Sequence, residues 1–139
     1  MKEHRINCAQ TVITTFCEEL GLDRAIALQV ANGFGGGMGR TGRTCGAVTG
    51  AYMVLGLSQD IPAEKPRASG NKTAVLMRRF NKRFVKKYGS MECKELLGCD
   101  LSTQEVRAEA RAKELSATLY PVFVGTSVKI LESLLKSNK

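Results

Sequence analysis

The chain has 139 residues, 43% of them hydrophobic, with no tryptophan and a net charge of +8. That length suits one domain over residues 1–139 with a real core, and no apolar run approaches a membrane span. The charged opening MKEHRINCAQ has no apolar stretch or small-residue cleavage site, which points to a cytoplasmic protein.

Residues 3–20 predict an amphipathic helix, because Ile6, Ile13, Phe16, Cys17 and Leu20 recur at helical spacing and Gly21 stops the run. Asp23 can cap a second helix to about Asn32, with Ile26, Leu28 and Val30 as its apolar content. A glycine-rich loop follows. CGAVTGAYMVLGL then reads as a third helix with small residues early and large ones late. SQDIPAEKPRASG is a surface loop. Residues 72–88 predict a fourth helix. Met77, Phe80, Phe84 and Tyr88 fall on one side, and Arg78, Arg79, Lys82, Arg83, Lys86 and Lys87 mainly on the other. SMECKELLG reads as a short helix capped by Ser90 and ended by Gly98. LSTQEVRAEARAKEL opens with a cap and acidic first turns. A last helix is expected from about Pro121 to Leu135, with Val124, Val128, Leu131 and Leu135 in register. No segment alternates as a strand does, so the expected fold is all-α, a compact domain of five to seven helices with the glycine-rich loop before the third.

Chemistry concentrates in GFGGGMGRTGRTCGAVTGA, residues 33–51. Gly37, Gly39 and Gly42 spell GxGxxG, and Gly37, Gly42, Arg43 and Thr44 fall one residue short of a P-loop. Both motifs require a preceding strand, and ALQVANGF looks helical instead, so chance matches are the better reading. Cys45 stands at the start of the third helix, near Arg40 and Arg43. Helix-start N–H groups and the arginines should both favour its thiolate. The plainer reading is a buried, inert cysteine in tight helix packing, and spacing alone does not separate the two.

Cys8, Cys17, Cys45, Cys93 and Cys99 are odd in number and contain no CxxC pair, which argues against a disulfide framework, a zinc ribbon and a thioredoxin-like motif. His4 is the only histidine. Cys17 shares the apolar stripe of the first helix and reads as core. Cys8 lies off that stripe, Cys93 starts a short helix, and Cys99 follows Gly98 in a turn.

NCAQTV, GGGMGRTGRTCGAVTGA, CKELLGCDLS and YPVFVGTSVKILESLL together resemble the small redox-active proteins named for a C_GCAxxG_C_C cysteine pattern. A related domain occurs in split-Soret cytochrome c, where an iron–sulfur centre accompanies haems. The resemblance implies thiol or metal redox chemistry, with Cys8, Cys45 and Cys93 as signature cysteines serving catalysis or ligating an iron–sulfur cluster or other metal. The fourth signature cysteine precedes a proline in the last helix. This chain has Tyr120 there, before Pro121, so a fourth ligand would have to be Cys99, Cys17, Tyr120 or a non-protein group. No CxxCH occurs, which excludes covalent haem.

The resulting expectation is a redox protein using the Cys8, Cys45 and Cys93 cluster with a redox partner, and with the small-residue third helix available to a homodimer. Gly36, Gly37, Gly39, Arg40, Gly42, Arg43 and Gly46 would bring backbone N–H groups close to sulfur or to a bound anion. The alternative is an anion- or nucleic-acid-binding module built from the glycine loop and basic helix, with structural cysteines. Nucleic acid ranks lower, because no RRM, zinc-finger or helix-turn-helix signature is present.

Overall fold

A computed structural model describes residues 6–98, 103–112 and 115–137. The elements are α1 (Cys8–Phe16), α2 (Arg24–Ala31), a 3-10 turn (Asn32–Phe34), a single turn α3 (Gly35–Met38), α4 (Gly46–Leu57), α5 (Gly70–Tyr88), α6 (Cys93–Leu97), α7 (Gln104–Ala112) and α8 (Leu115–Ser137). Apart from the one turn of α3, these are seven helices and no strand among the described residues. The all-α expectation holds, and α4 is the third full helix. No helix among the described residues is long and apolar enough to cross a membrane.

α1 is shorter than its apolar periodicity suggests, and residues 3–5 lie outside the described part. Asn7 caps it: its side chain accepts the Gln10 N–H at 2.9 Å, and the Gln10 side chain accepts the Asn7 N–H at 2.8 Å. Such a box stabilises a helix start by about 0.5–2 kcal/mol and places Cys8 in the first turn. Gly21, at φ 77°, closes the other end. Asp23 caps α2 as expected, accepting the Ile26 N–H at 3.2 Å. The buried face of α2 differs from the expected one. Ile26 and Val30 are half exposed, and Ala27 and Ala31 make the contact. Small side chains let α2 lie close to Ala9, Ile13 and Cys17 of α1, where bulk would hold it off.

The main core joins Val12 and Phe16 of α1, Val48, Val54 and Leu55 of α4, Leu76, Phe80 and Phe84 of α5, and Leu131 and Leu134 of α8. An aromatic column fastens α5 to its neighbours. Phe80 and Phe84 stack with centroids 5.8 Å apart, and Tyr88 meets both Phe84 and Phe123 at 5.0 Å. The basic residues expected on the outer face of α5 are all exposed. α5 begins at Gly70, slightly earlier than expected.

Two boundaries are corrected. α8 starts at Leu115 and runs through Pro121. Proline removes only one helical donor, and burial of Phe123, Ser127, Ile130 and Leu131 beyond it holds the helix together. Glu92 rather than Ser90 holds the N-cap position of α6, without a side-chain capping bond; the Ser90 hydroxyl accepts the Glu92 N–H at 3.0 Å just before it, and Gly98 ends the helix at φ 75°. The start of α7 agrees with the cap seen in the sequence, since Thr103 accepts the Val106 N–H at 3.2 Å.

Candidate functional site

Three cysteines stand at the starts of three helices. Cys8 is the first residue of α1, Cys45 is the N-cap of α4, and Cys93 is the first residue of α6. All are buried, between 2% and 5% exposed. Glycines at two contacts allow their backbones to meet. A Cβ on Gly46, the residue after Cys45, would lie 3.0 Å from the Cys8 Cβ and 2.9 Å from the Ala9 nitrogen. One turn on, a Cβ on Gly50 would lie 2.9 Å from the Ala9 carbonyl oxygen. The start of α4 therefore rests directly on the start of α1. A Cβ on Gly37 would come within 2.6 Å of both the Cys93 Cβ and the Arg43 carbonyl oxygen.

The glycine loop supplies the rest of the frame. Gly36, Gly37, Gly39 and Gly42 all have φ between 65° and 73°, which L side chains avoid. Turning this way, the loop ties itself together. The N–H of Arg40 donates to Gly35, that of Gly42 to Gly36, and that of Arg43 to Gly37. The N–H groups that an anion site would need from Arg40, Gly42 and Arg43 are thus engaged with loop carbonyls. The loop then pairs with the segment before α6. Thr44 and Glu92 form an antiparallel bridge, the Cys93 N–H donates to Arg43 at 2.6 Å, and the Cys45 N–H donates to Met91 at 2.7 Å. That bridge is the single extended contact among the described residues. The dinucleotide and P-loop matches accordingly have no strand before them: the preceding segment is α2.

Tyr120 of α8 closes the group. Its phenol feels all three thiols, Cys93 most strongly, and its hydroxyl donates a hydrogen bond to the Cys93 sulfur. Nearby, Ser127, fully buried, donates to the Ala47 carbonyl at 2.7 Å and fastens α8 to the first turn of α4. Cys8, Cys45, Cys93 and Tyr120 are therefore neighbours. Cys17 sits apart in the smaller α1–α2 cluster, as its place on the apolar stripe implied. Cys99 lies outside the described residues.

The expected activation of Cys45 is corrected. Burial pushes its thiol above the ordinary value of 9.0, while the Ala47 and Val48 amides act in the opposite direction without overcoming it. Arg40 and Arg43 are exposed and do not act on it. Desolvation disfavours a charged thiolate more than one helix terminus favours it. Cys8 is pushed up much further, by burial first and then by Cys45 and Cys93. Tyr120 is likewise raised, by burial first and then by the thiols.

These shifts have a sign in stability. The folded thiols keep their protons above pH 9, where unfolded thiols lose theirs, so the unfolded state binds fewer protons and stability falls as pH rises. Denaturant unfolding should show a decline from pH 8 to pH 10.5. Cys8→Ala should flatten it; an equal slope in the variant would contradict the burial argument.

The donor set does not fit a four-thiolate centre. It offers three thiols and a phenol whose hydroxyl donates to one of them, and among the described residues no three His, Cys, Asp or Glu side chains group as a metal ion requires.

Among residues that sequence reasoning passed over, Asn7 and Gln10 carried a readable signal, the N-x-x-Q spacing of a capping box. Ser127 and the Thr44–Glu92 bridge carried none, because both are long-range contacts.

Buried thiols gathered at three helix starts around a glycine-rich turn define a small helical cysteine protein. The chain belongs to the C_GCAxxG_C_C family, described as "Putative redox-active protein (C_GCAxxG_C_C)", whose model matches residues 6–134. No curated protein and no solved structure matches it.

Proposed function

We propose that the protein is a thiol redox protein in which two of Cys8, Cys45 and Cys93 cycle between dithiol and disulfide. The observation that supports this reading is the meeting of three buried thiols from separate helices, each thiol at a helix start. Closing the disulfide releases two protons and two electrons, which a disulfide of a redox partner accepts as it becomes two thiols. The high proton affinity of Cys8 and Cys45 keeps the resting thiols protonated and slow to react, so burial protects them from indiscriminate oxidation.

The redox role of the family agrees with this chemistry. The reduced full-length protein, treated with diamide and then counted for thiols by alkylation and mass spectrometry, should lose two of its five and recover both with reductant. Retention of all five would contradict the proposal.

A further inference from the structure

Three thiols allow three pairings, and the geometry points to one: we infer that Cys8 and Cys45 form the disulfide while Tyr120 holds Cys93 out of it. This inference rests on the thiol redox reading and assigns its residues.

The Cys45–Cys93 pairing meets an obstacle in the antiparallel bridge. With Thr44 opposite Glu92, Cys45 stands opposite Met91, which makes Cys93 its diagonal neighbour. Diagonal partners across such a pair have Cα atoms about 7–8 Å apart. A disulfide tolerates up to about 7 Å without backbone movement. The bridge itself resists that movement, because Cys45 and Cys93 each donate an N–H across it, at 2.7 and 2.6 Å.

Two contacts favour Cys45 as the partner of Cys8. The missing side chain of Gly46 lets α4 rest against Cys8, with only 3.0 Å between the Cys8 Cβ and the place a Gly46 Cβ would take. The Cys93 Cβ lies instead against Gly37, where an added Cβ would come within 2.6 Å of it. The Cys93 sulfur, in turn, already accepts the Tyr120 hydroxyl. Turning it toward Cys8 would break that bond inside a buried site, where an unsatisfied hydroxyl is costly. Tyr120 is thus a positioning residue: it selects the pair without entering the reaction.

In the oxidation step the S–H bonds of Cys8 and Cys45 break and one S–S bond forms. With diamide as oxidant, the two protons and two electrons reduce its N=N bond to a hydrazine.

The test maps the product. Full-length protein is oxidised with limiting diamide, blocked with an alkylating agent, digested without reductant and read by mass spectrometry. A dominant Cys8–Cys45 cross-linked peptide, with Cys93 alkylated, is the expected result. In Tyr120→Phe, which keeps the ring and loses the hydroxyl, disulfides containing Cys93 should rise by about fivefold, the scale one hydrogen bond sets. Circular dichroism of the variant confirms that its helices are retained. A dominant Cys93 disulfide in the wild-type protein, or an unchanged Cys93 share in a folded Tyr120→Phe, would overturn the pairing while leaving the redox reading intact. The absence of any intramolecular disulfide would overturn the redox reading itself.

Discussion

Gly37→Ala should destabilise the protein by about 2–5 kcal/mol. Gly37 has φ 73°, and a Cβ there would meet the Arg43 carbonyl oxygen and the Cys93 Cβ at 2.6 Å and the Arg43 nitrogen at 2.8 Å. The left-handed conformation alone costs an L side chain roughly 1–2 kcal/mol, and overpacking adds about 1–3 kcal/mol because the colliding atoms are mainly backbone. Against a typical total of about 5–15 kcal/mol this is severe. The neighbouring helix offers the opposite case. Gly56 of α4 has nothing within 4 Å of its added Cβ and no positive φ. Gly56→Ala should therefore stabilise by about 0.5–1 kcal/mol, since alanine loses less backbone entropy in a helix. Denaturant titration of both variants decides the matter. A Gly37→Ala midpoint equal to wild type would mean that the glycine loop does not press on Cys93.

Tyr120→Cys should change what the site can hold. The phenol already feels Cys93, Cys8 and Cys45, so a thiol in its place would join three others. Four thiolates form a closed tetrahedral set for zinc or an iron–sulfur cluster, whereas three thiols and a donating phenol do not. As placed, the three thiols do not group as a metal ion requires, so they must draw in around a bound metal; metal content after anaerobic purification should nevertheless rise above the wild-type level, because the variant can complete a four-thiolate set. Equal metal content in the two proteins would contradict the convergence of the four positions as a ligand set.

The helices were legible because apolar residues at helical spacing leave a strong local signal. Asp23 before α2, Gly21 after α1 and Gly98 after α6 mark ends that glycine geometry and side-chain capping dictate locally. Errors arose where tertiary contact overrides local preference. Pro121 reads as a helix start, yet the buried face of α8 carries the helix through it. Ile26 and Val30 read as the core of α2, yet Ala27 and Ala31 allow closer packing.

For the site, the family resemblance indicated Cys8, Cys45, Cys93 and Tyr120 by position. Their meeting depends on Gly37 and Gly46, whose partners lie far along the chain. The electrostatics of Cys45 were misjudged for a related reason. Arg40 and Arg43 are adjacent in sequence, but they point to solvent while the thiol is buried, and burial dominates a buried acid. The glycines whose spacing matches nucleotide motifs by chance allow close packing between three helix starts.

The central claim is that the gathered thiols are a redox centre, and an equilibrium redox titration tests it most directly. The full-length protein is equilibrated in thiol–disulfide buffers of defined potential, quenched by alkylation and read by mass. The account predicts one two-electron transition with a midpoint above about −300 mV, the region of cycling rather than structural disulfides. That transition should vanish when Cys8, Cys45 and Cys93 are all changed to serine and persist in Cys17→Ser. A protein that stays fully reduced across the whole range, or a transition that survives the triple substitution unchanged, would contradict it.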